Sequence, residues 1–244
     1  MPHAQYDLLQ EKFVKYIEIA SVDGGSFNAY LATPASGSGP GLVVIQEIFG
    51  INPAMRSIAD AYAAQGYVAL VPDLFWRQQP RVELNDRSEA DWARAFEFYR
   101  GFDEAMGVQD LIAALNQLRE FSYCTGKVGT VGFCLGGKMA YLMAARSDAD
   151  CNVSYYGVTI ENNLDESDNI QKPLLMHIAE QDQFVSPEVQ EQIKNALSSN
   201  PAIAIHSYPG VNHAFARIGG EPYVADAAEL ANNRTIEFFQ TYLA

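Results

Sequence analysis

The sequence predicts a single α/β domain built on a doubly wound, mostly parallel sheet. Residues 42–45 form an apolar run without polar alternation, which is typical of a strand covered on both faces. After this run, strand and helix patterns alternate, as in folds whose parallel strands are joined by right-handed crossovers. A chain of 244 residues that is 48% hydrophobic and 19% charged can bury a large core. No repeat or linker divides it, so residues 1–244 are predicted to form one domain.

An antiparallel pair of strands is predicted to precede the parallel sheet. Residues 14–21 and 27–33 have strand patterns, and Asp23-Gly24-Gly25 between them is a strong turn signal. The segment between Leu74 and Gly107 is far longer than a strand-to-helix loop requires, which predicts a lid or a pocket wall. The other predicted strands are residues 42–45, 67–71, 127–133, 152–156, 173–178 and 202–208, and the predicted helices are residues 53–65, 108–121, 136–146, 187–197 and 223–243.

Charge and composition exclude several classes of partner. The formal net charge of −14 argues against nucleic acid and against an acidic membrane surface, since both require clustered Lys and Arg. The N-terminus lacks the basic start and apolar run of a secretory signal, and no stretch approaches the roughly 20 apolar residues of a membrane span. A cytoplasmic protein is therefore expected. The three cysteines show neither a disulfide framework nor a metal-ligand spacing, so no metal is predicted.

The strongest local signal is V-G-F-C-L-G-G at residues 131–137. It places Cys134 between glycines two residues before and two residues after it, where a strand must turn at once into a helix. This is the spacing of a nucleophile elbow, in which small residues allow the tight turn that holds a nucleophile above the sheet. The helix N-terminus favours a thiolate over a thiol. Packing as a small apolar side chain is the commoner fate of a cysteine, and it is predicted for Cys124 and Cys151.

Two further side chains follow Cys134 in the chain order nucleophile, acid, histidine. His213 lies in Y-P-G-V-N-H-A-F, just after the last predicted strand, where a loop can reach over the elbow. Asp182 lies in H-I-A-E-Q-D-Q-F-V, a few residues beyond the preceding strand, and Glu180 is the alternative acid. The remaining histidines are assigned to strand packing or to the N-terminal tail; they are His177, His206 and His3.

Further blocks of sequence extend the pattern to nearly the whole chain. They are Q-E-I-F-G-I-N at residues 46–52, P-D-L-F at 72–75 and G-V-Q-D-L at 107–111, followed by the cysteine and histidine blocks just described. Together they resemble the dienelactone hydrolase family, also called carboxymethylenebutenolidases. The resemblance implies an α/β-hydrolase fold, a Cys-His-Asp triad, a small-molecule ester or lactone substrate, and no metal or organic cofactor.

The resemblance also implies roles for residues that spacing alone does not single out. Glu47 matches a glutamate that holds the thiol at rest and takes its proton when substrate enters, a device that avoids a permanently exposed thiolate. The backbone N–H groups of Ile48 and Leu135 are implied to form the oxyanion hole. The implied nucleophile, orienting acid and base are Cys134, Asp182 and His213.

The chain departs from the family pattern where a substrate carboxylate is bound. The pattern has two arginines there, and Arg217, in H-A-F-A-R, matches one of them. Trp92 stands at the position of the other, and Phe96 stands where a tyrosine is usual. If the segment is helical, Trp92 and Phe96 share one face, with core packing and pocket lining as equal alternatives. Arg94 points away from that face and the direction of Arg87 is not derivable, so whether either replaces the missing arginine stays open.

These features predict a cysteine-dependent hydrolase of carboxylic esters or lactones that forms a thioester acyl-enzyme. The aromatic substitutions shift its expected preference toward apolar or aromatic esters. Two alternatives stay open: other activated substrates such as thioesters or phosphotriesters, and a redox-active or ligand-binding thiol protein that hydrolyses nothing. Intact acid and base partners argue against the second alternative. A monomer or a weak homo-oligomer is expected.

Overall fold

The computed structural model describes residues 16–244, which contain an eight-stranded mixed sheet. The strand order is β1-β2-β4-β3-β5-β6-β7-β8. Strand β2 pairs antiparallel with β1 and with β4, and every other pairing is parallel. The strands are β1 (Tyr16–Ala20), β2 (Ser26–Ala32), β3 (Gly39–Ile45), β4 (Val68–Pro72), β5 (Cys124–Phe133), β6 (Asn152–Tyr155), β7 (Leu174–Ala179) and β8 (Ile203–Tyr208).

Every residue of β4, β6 and β7 is buried, because helices cover both faces of the sheet. The helices are α1 (Pro53–Ala64), α2 (Glu89–Arg100), α3 (Glu104–Glu120), α4 (Leu135–Arg146), α5 (Pro187–Leu197) and α6 (Ala225–Leu243), with a 3-10 helix over Ile160–Asn169. Helices α1 and α6 pack together through Tyr62 and Phe239, whose ring centroids are 5.9 Å apart. Helices α3 and α4 are joined by a 2.6 Å ion pair between Glu104 and Lys138. The predicted α/β fold class is confirmed.

Several element boundaries differ from the predicted ones, and those of α3 and β5 are examples. Helix α3 begins at Glu104 rather than at residue 108, because the Asp103 side chain accepts a 3.0 Å hydrogen bond from the Met106 N–H and caps the helix there. Strand β5 begins at Cys124 rather than at residue 127, and it continues through Gly126, whose φ is +104°. The first two residues of the predicted strand 14–21 lie outside the described part of the chain.

The loops that carry the candidate site residues lie at one edge of the sheet. Strands β3, β5, β7 and β8 run parallel, so the residues that follow each of them meet at the carboxyl edge. The long segment after β4 forms a loop and then helix α2, whose first turn is capped by Ser88. A bridge between Gly50 and Glu83 ties this loop to the one that follows β3. Within residues 16–244, no helix is long and apolar enough to cross a membrane.

Candidate active site

Cys134 occupies the tight turn between β5 and α4. Its φ and ψ angles are 59° and −116°, a conformation that side chains rarely adopt. A Cβ atom at Gly132 would lie 1.8 Å from the Gly136 carbonyl oxygen, and one at Gly136 would lie 2.3 Å from the Ile45 carbonyl oxygen. Both positions therefore require glycine, which is the reason for the G-x-C-x-G spacing. The turn holds the Cys134 side chain at the carboxyl edge of a central strand.

His213 and Asp182 form a buried pair beside the turn. The His213 Nδ1 and Asp182 Oδ2 atoms are 2.8 Å apart, and the two side chains are only 4% and 2% exposed. The other Asp182 oxygen, Oδ1, accepts a 2.8 Å hydrogen bond from the Phe184 N–H, which fixes the carboxylate. Glu180, the alternative acid, is exposed. Of the two candidates, Asp182 is the one that contacts the histidine.

The second ring nitrogen of His213, Nε2, is available to interact with the Cys134 thiol. His213 Nε2 is buried and has no hydrogen-bond partner of good geometry among the described residues. Burial lowers the pKa of His213, but the negative charge available on Cys134 and the Asp182 carboxylate outweigh burial and raise that pKa to about 10. A protonated His213 therefore stabilises negative charge that forms on Cys134.

Glu47, which follows β3, is paired with Arg217 rather than with the thiol. The Arg217 Nε atom lies 3.1 Å from Glu47 Oε2, but its N–H does not point at that oxygen, so the contact is an ion pair without a hydrogen bond. Glu47 Oε1 is buried and has no hydrogen-bond partner within the described chain. The Glu47 carboxylate thus pairs with Arg217 in this structure, and its role toward the resting thiol stays a prediction.

Arg217 has a second carboxylate partner that sequence reasoning missed. Its Nη1 atom donates a 2.6 Å hydrogen bond to Asp86 Oδ2, and its guanidinium lies 5.4 Å from the centre of the Phe49 ring. Burial alone would lower the pKa of the Arg217 guanidinium, but Glu47 and then Asp86 outweigh burial and raise it. Asp86 lies in a loop within the long segment after β4, and no motif or periodicity marks it in the sequence.

Tyr156 is a further residue at this edge that the sequence reasoning did not single out. It directly follows β6 in a left-handed conformation, with φ at 37°. Its ring lies edge-on to His213 at 5.1 Å, and its buried hydroxyl has no hydrogen-bond partner among the described residues. Burial and the nearby charge of Glu47 raise its pKa. Its place immediately after a parallel strand was the one signal that could have indicated it.

Two backbone N–H groups flank the thiol on separate elements. Leu135 is the first residue of α4, and Ile48 follows Glu47 in the loop after β3. Within residues 16–244, neither N–H donates a hydrogen bond to a backbone or side-chain acceptor. The first N–H groups of a helix have no partner inside it and attract negative charge. Both groups are therefore free to bind an oxyanion.

The thiol faces a cavity of about 200 Å³ with largely aromatic walls. Trp92, Phe96 and Tyr99 line it from one face of α2 and also pack against the hydrophobic core, so that face combines the two alternatives. Phe49 packs edge-on against Trp92 at 4.8 Å. The other lining residues are Glu47, Ile48, Cys134, Val158, Thr159, Phe184, His213 and Arg217.

Neither candidate substitute for the missing arginine reaches this cavity. Arg94 is exposed and contacts Gln79 and Glu97 on the outside of α2. Arg87 is also exposed, and its Nη2 atom donates a 2.6 Å hydrogen bond to the Gly219 carbonyl oxygen. No group of three or more His, Cys, Asp or Glu side chains in residues 16–244 is arranged to hold a metal ion.

Comparisons with known proteins show the family to which the chain belongs. The model of the dienelactone hydrolase family matches residues 27–243. The chain belongs to that family. It is 49% identical to a protein of Azospirillum brasilense, provisionally named a carboxymethylenebutenolidase, over 93% of this chain and 98% of that protein. It is also 40% identical to the carboxymethylenebutenolidase of Pseudomonas putida over 91% of this chain and 94% of that enzyme.

Solved structures show the same fold. A Klebsiella pneumoniae protein provisionally named a dienelactone hydrolase superposes with a TM-score of 0.80 at 25% identity, covering 93% of this chain and 99% of that one. An esterase of Pyrococcus furiosus superposes with a TM-score of 0.71 at 16% identity, covering 94% and 93%, and this likeness concerns the fold alone. As a member of the dienelactone hydrolase family with this α/β-hydrolase fold, the protein is a hydrolase that acts on ester bonds.

Proposed function

We propose that the protein hydrolyses carboxylic esters or lactones through a thioester formed on Cys134, and that it prefers apolar or aromatic acyl groups. The carrying observation is the meeting of three features at one cavity: a cysteine in an elbow turn, a His213–Asp182 pair beside it, and aromatic walls from α2. Nucleophile, base and orienting acid within reach of one another are what covalent ester cleavage needs.

In the first half of the cycle, Glu47 takes the thiol proton through its unpaired Oε1, and His213 binds a proton from solvent as the thiolate forms. The thiolate then attacks the substrate carbonyl carbon, and the carbonyl electron pair moves onto oxygen, where the N–H groups of Ile48 and Leu135 stabilise it. Collapse of this intermediate breaks the bond to the alcohol oxygen. Protonated His213 gives its proton to the departing alcohol, and the thioester remains.

In the second half, the thioester is cleaved by water. Acylation removes the negative charge from Cys134, which is a cause of the raised pKa of His213, so the pKa falls and the neutral imidazole can act as a base. His213 takes a proton from water as the oxygen attacks the thioester carbonyl. The second tetrahedral intermediate expels the thiolate and releases the carboxylic acid. Asp182 keeps Nε2 of His213 directed at the reacting atoms throughout.

The acyl preference follows from the wall of α2. Trp92 and Phe96 present aromatic surface where the family pattern has an arginine and a tyrosine. A charge-assisted bond between Arg and a carboxylate contributes about 1.5 to 3 kcal/mol, so its loss lowers kcat/KM for dienelactone by ~10- to 100-fold relative to neutral aryl esters. Comparison of kcat/KM for dienelactone and for p-nitrophenyl phenylacetate measures this preference. A dienelactone value far above the aryl ester value would contradict it.

The thioester is tested by trapping it. With p-nitrophenyl phenylacetate, whose phenolate leaves without a proton, the variant His213→Gln should acylate and then stall, so acid-quenched protein should carry one acyl group, and peptide mass spectrometry should locate it on Cys134. Replacing Cys134 by Ala should lower kcat/KM by at least about 1,000-fold. The matched control is Cys151→Ala, since Cys151 is fully buried and burial raises its pKa. Full turnover by Cys134→Ala, or an acyl group on another side chain, would refute the mechanism.

A further inference from the structure

Arg217 is held between carboxylates that approach it from two cavities. Glu47 lines the 200 Å³ cavity of the thiol, whereas Asp86 lines a separate cavity of about 720 Å³. Among the described residues, Arg217 alone lines both cavities. Its guanidinium therefore separates them, with Glu47 on the thiol side and Asp86 on the far side.

The charge of Arg217 is already compensated before any substrate binds. No other Arg or Lys lines the thiol cavity in the described chain. One guanidinium with the ionised side chains of Glu47 and Asp86 carries a net charge of −1. A substrate carboxylate that approaches Arg217 therefore meets two carboxylates in a buried, weakly screened site, where like charges repel strongly.

Asp86 is fixed in this position by its loop. Trp92 Nε1 donates a 2.7 Å hydrogen bond to the Asp86 carbonyl oxygen, so the residue that replaces the family arginine also anchors Asp86. On the next residue, the bond from Arg87 to the Gly219 carbonyl ties the same loop to the loop after Arg217. The Asp86 side chain is 20% exposed, so water screens its charge less than that of a fully exposed carboxylate.

We propose that Asp86 determines acyl specificity by selecting against esters whose acyl group carries a carboxylate. Asp86 is a positioning residue that acts through Arg217. Its carboxylate lies outside the thiol cavity and compensates the positive charge of the Arg217 guanidinium. The guanidinium then pairs with Glu47 but does not bind an anionic acyl chain. This inference rests on the proposed ester hydrolysis and adds which acyl groups the site rejects.

The test uses two aryl esters that differ mainly in charge, p-nitrophenyl hydrogen glutarate and p-nitrophenyl methyl glutarate. The measured quantity is the ratio of kcat/KM for the anionic ester to kcat/KM for the neutral ester. Asp86→Asn should raise this ratio about tenfold or more, chiefly through a lower KM for the anionic ester, because Arg217 gains a free charge-assisted bond. Asp86→Glu should restore the wild-type ratio.

The matched control is Glu89→Gln, which removes an exposed carboxylate from the first turn of α2 and should change the ratio by less than about twofold. An unchanged ratio in Asp86→Asn, with or without a common loss of turnover, overturns the proposal. If the wild-type protein hydrolyses neither of the two esters, the proposed function is overturned instead.

A second measurement keeps the inference testable if Asp86→Asn folds poorly. With wild-type protein and the neutral ester, phenylacetamide should inhibit more tightly than phenylacetate, because the amide has nearly the same shape without the charge. Equal or tighter inhibition by phenylacetate overturns the proposal.

Discussion

Arg77 and Arg217 are each held between two carboxylates, Arg77 outside the thiol cavity and Arg217 on its wall. Outside the cavity, Arg77 Nε donates a 2.8 Å hydrogen bond to Asp23, and the guanidinium donates further bonds to Asp110. Asp110 is fully buried and also accepts 2.9 Å hydrogen bonds from the Ser21 hydroxyl and the Trp76 indole. Every buried polar atom of this cluster has a partner.

The Arg217 cluster has the same charges with fewer hydrogen bonds. Arg217 Nε and Glu47 Oε1 are both buried without a hydrogen-bond partner in the described chain, and only the bond to Asp86 is well formed. A buried network whose hydrogen bonds are all satisfied stabilises one conformation, whereas unpaired buried groups cost free energy and mark a site where something else binds. Substitutions in the Arg77 cluster should therefore change mainly the free energy of unfolding, and substitutions in the Arg217 cluster should change mainly kcat/KM.

The largest expected effect that separates the clusters is that of Glu47→Gln. Loss of the proton acceptor should lower kcat/KM for the neutral ester by about 100-fold or more. The free energy of unfolding should fall by less than about 2 kcal/mol, because the lost ion pair with Arg217 has no hydrogen bond and Arg217 keeps its bond to Asp86. Steady-state kinetics and urea unfolding measure the two quantities. Retained activity would remove Glu47 from the mechanism.

Asp110→Asn should show the reverse pattern. The amide offers one acceptor oxygen where Ser21, Trp76 and Arg77 all donate, so buried donors lose their partner. The free energy of unfolding should fall by about 2 to 3 kcal/mol, less than for a fully buried pair because Arg77 is 27% exposed. Urea midpoints measure this change, and kcat/KM of the folded variant should stay within about threefold. A selective loss of kcat/KM would break the contrast between the clusters.

The same contrast separates two buried histidines. His177 is hydrogen-bonded through both ring nitrogens, to the Tyr208 hydroxyl at 2.8 Å and to the Thr235 hydroxyl at 2.9 Å, and burial holds its pKa well below the usual value. His213 has one hydrogen-bonded nitrogen and one without a hydrogen-bond partner of good geometry among the described residues, and its pKa is raised to about 10.

These opposite shifts predict opposite effects of pH on stability. In the unfolded chain the pKa of His177 is near 6.5, which is above its pKa in the folded protein. Protonation of the unfolded state therefore lowers the free energy of unfolding as pH falls below about 6.5, by roughly 1.4 kcal/mol per pH unit. The contribution of His213 is complete below about pH 6.5 and is lost as pH rises toward 10. Urea unfolding from pH 5.5 to 9 should show a flatter acid limb for His177→Gln and a flatter alkaline limb for His213→Gln. Identical limbs in both variants and the wild type would contradict these shifts.

The smallest predicted effects concern the indoles of Trp92 and Trp76, each of which donates a hydrogen bond to an aspartate of one arginine cluster. Trp92→Phe keeps an aromatic ring but removes the bond to the Asp86 carbonyl, and it should raise the ratio for the anionic and neutral glutarate esters by about three- to fivefold. Trp76→Phe removes the bond to Asp110 and should lower the urea midpoint while the ratio stays constant. If both variants change the ratio equally, the indole of Trp92 has no particular effect on Asp86.

Most of the fold could be predicted because strand and helix periods are local properties of the sequence. The boundaries that differed were decided by single contacts. Gly107 separates the predicted start of α3 from the observed one, yet it is accommodated inside the helix because it packs against Phe102 and Met139. A glycine in a pattern indicates a possible break, and only packing decides whether the helix breaks there.

The site divides in the same way. Cys134, Asp182 and His213 each follow a strand, so their meeting at one sheet edge follows from chain order. The contact between Asp86 and Arg217 joins residues 131 positions apart, neither in a regular element, and no local pattern encodes it. Loops positioned by tertiary contacts are the part of a site that a single sequence reveals least.

The order of the strands also fixes when the site can exist during synthesis. Strand β8 lies at one edge of the sheet and pairs only with β7, and His213 and Arg217 follow it along the chain. A nascent chain therefore carries the thiol before its base has been synthesised, and domains fold as the later segments emerge from the ribosome. Ester hydrolysis should appear only after β8 and the loop that follows it have emerged, so catalytic activity reports that synthesis has passed Arg217.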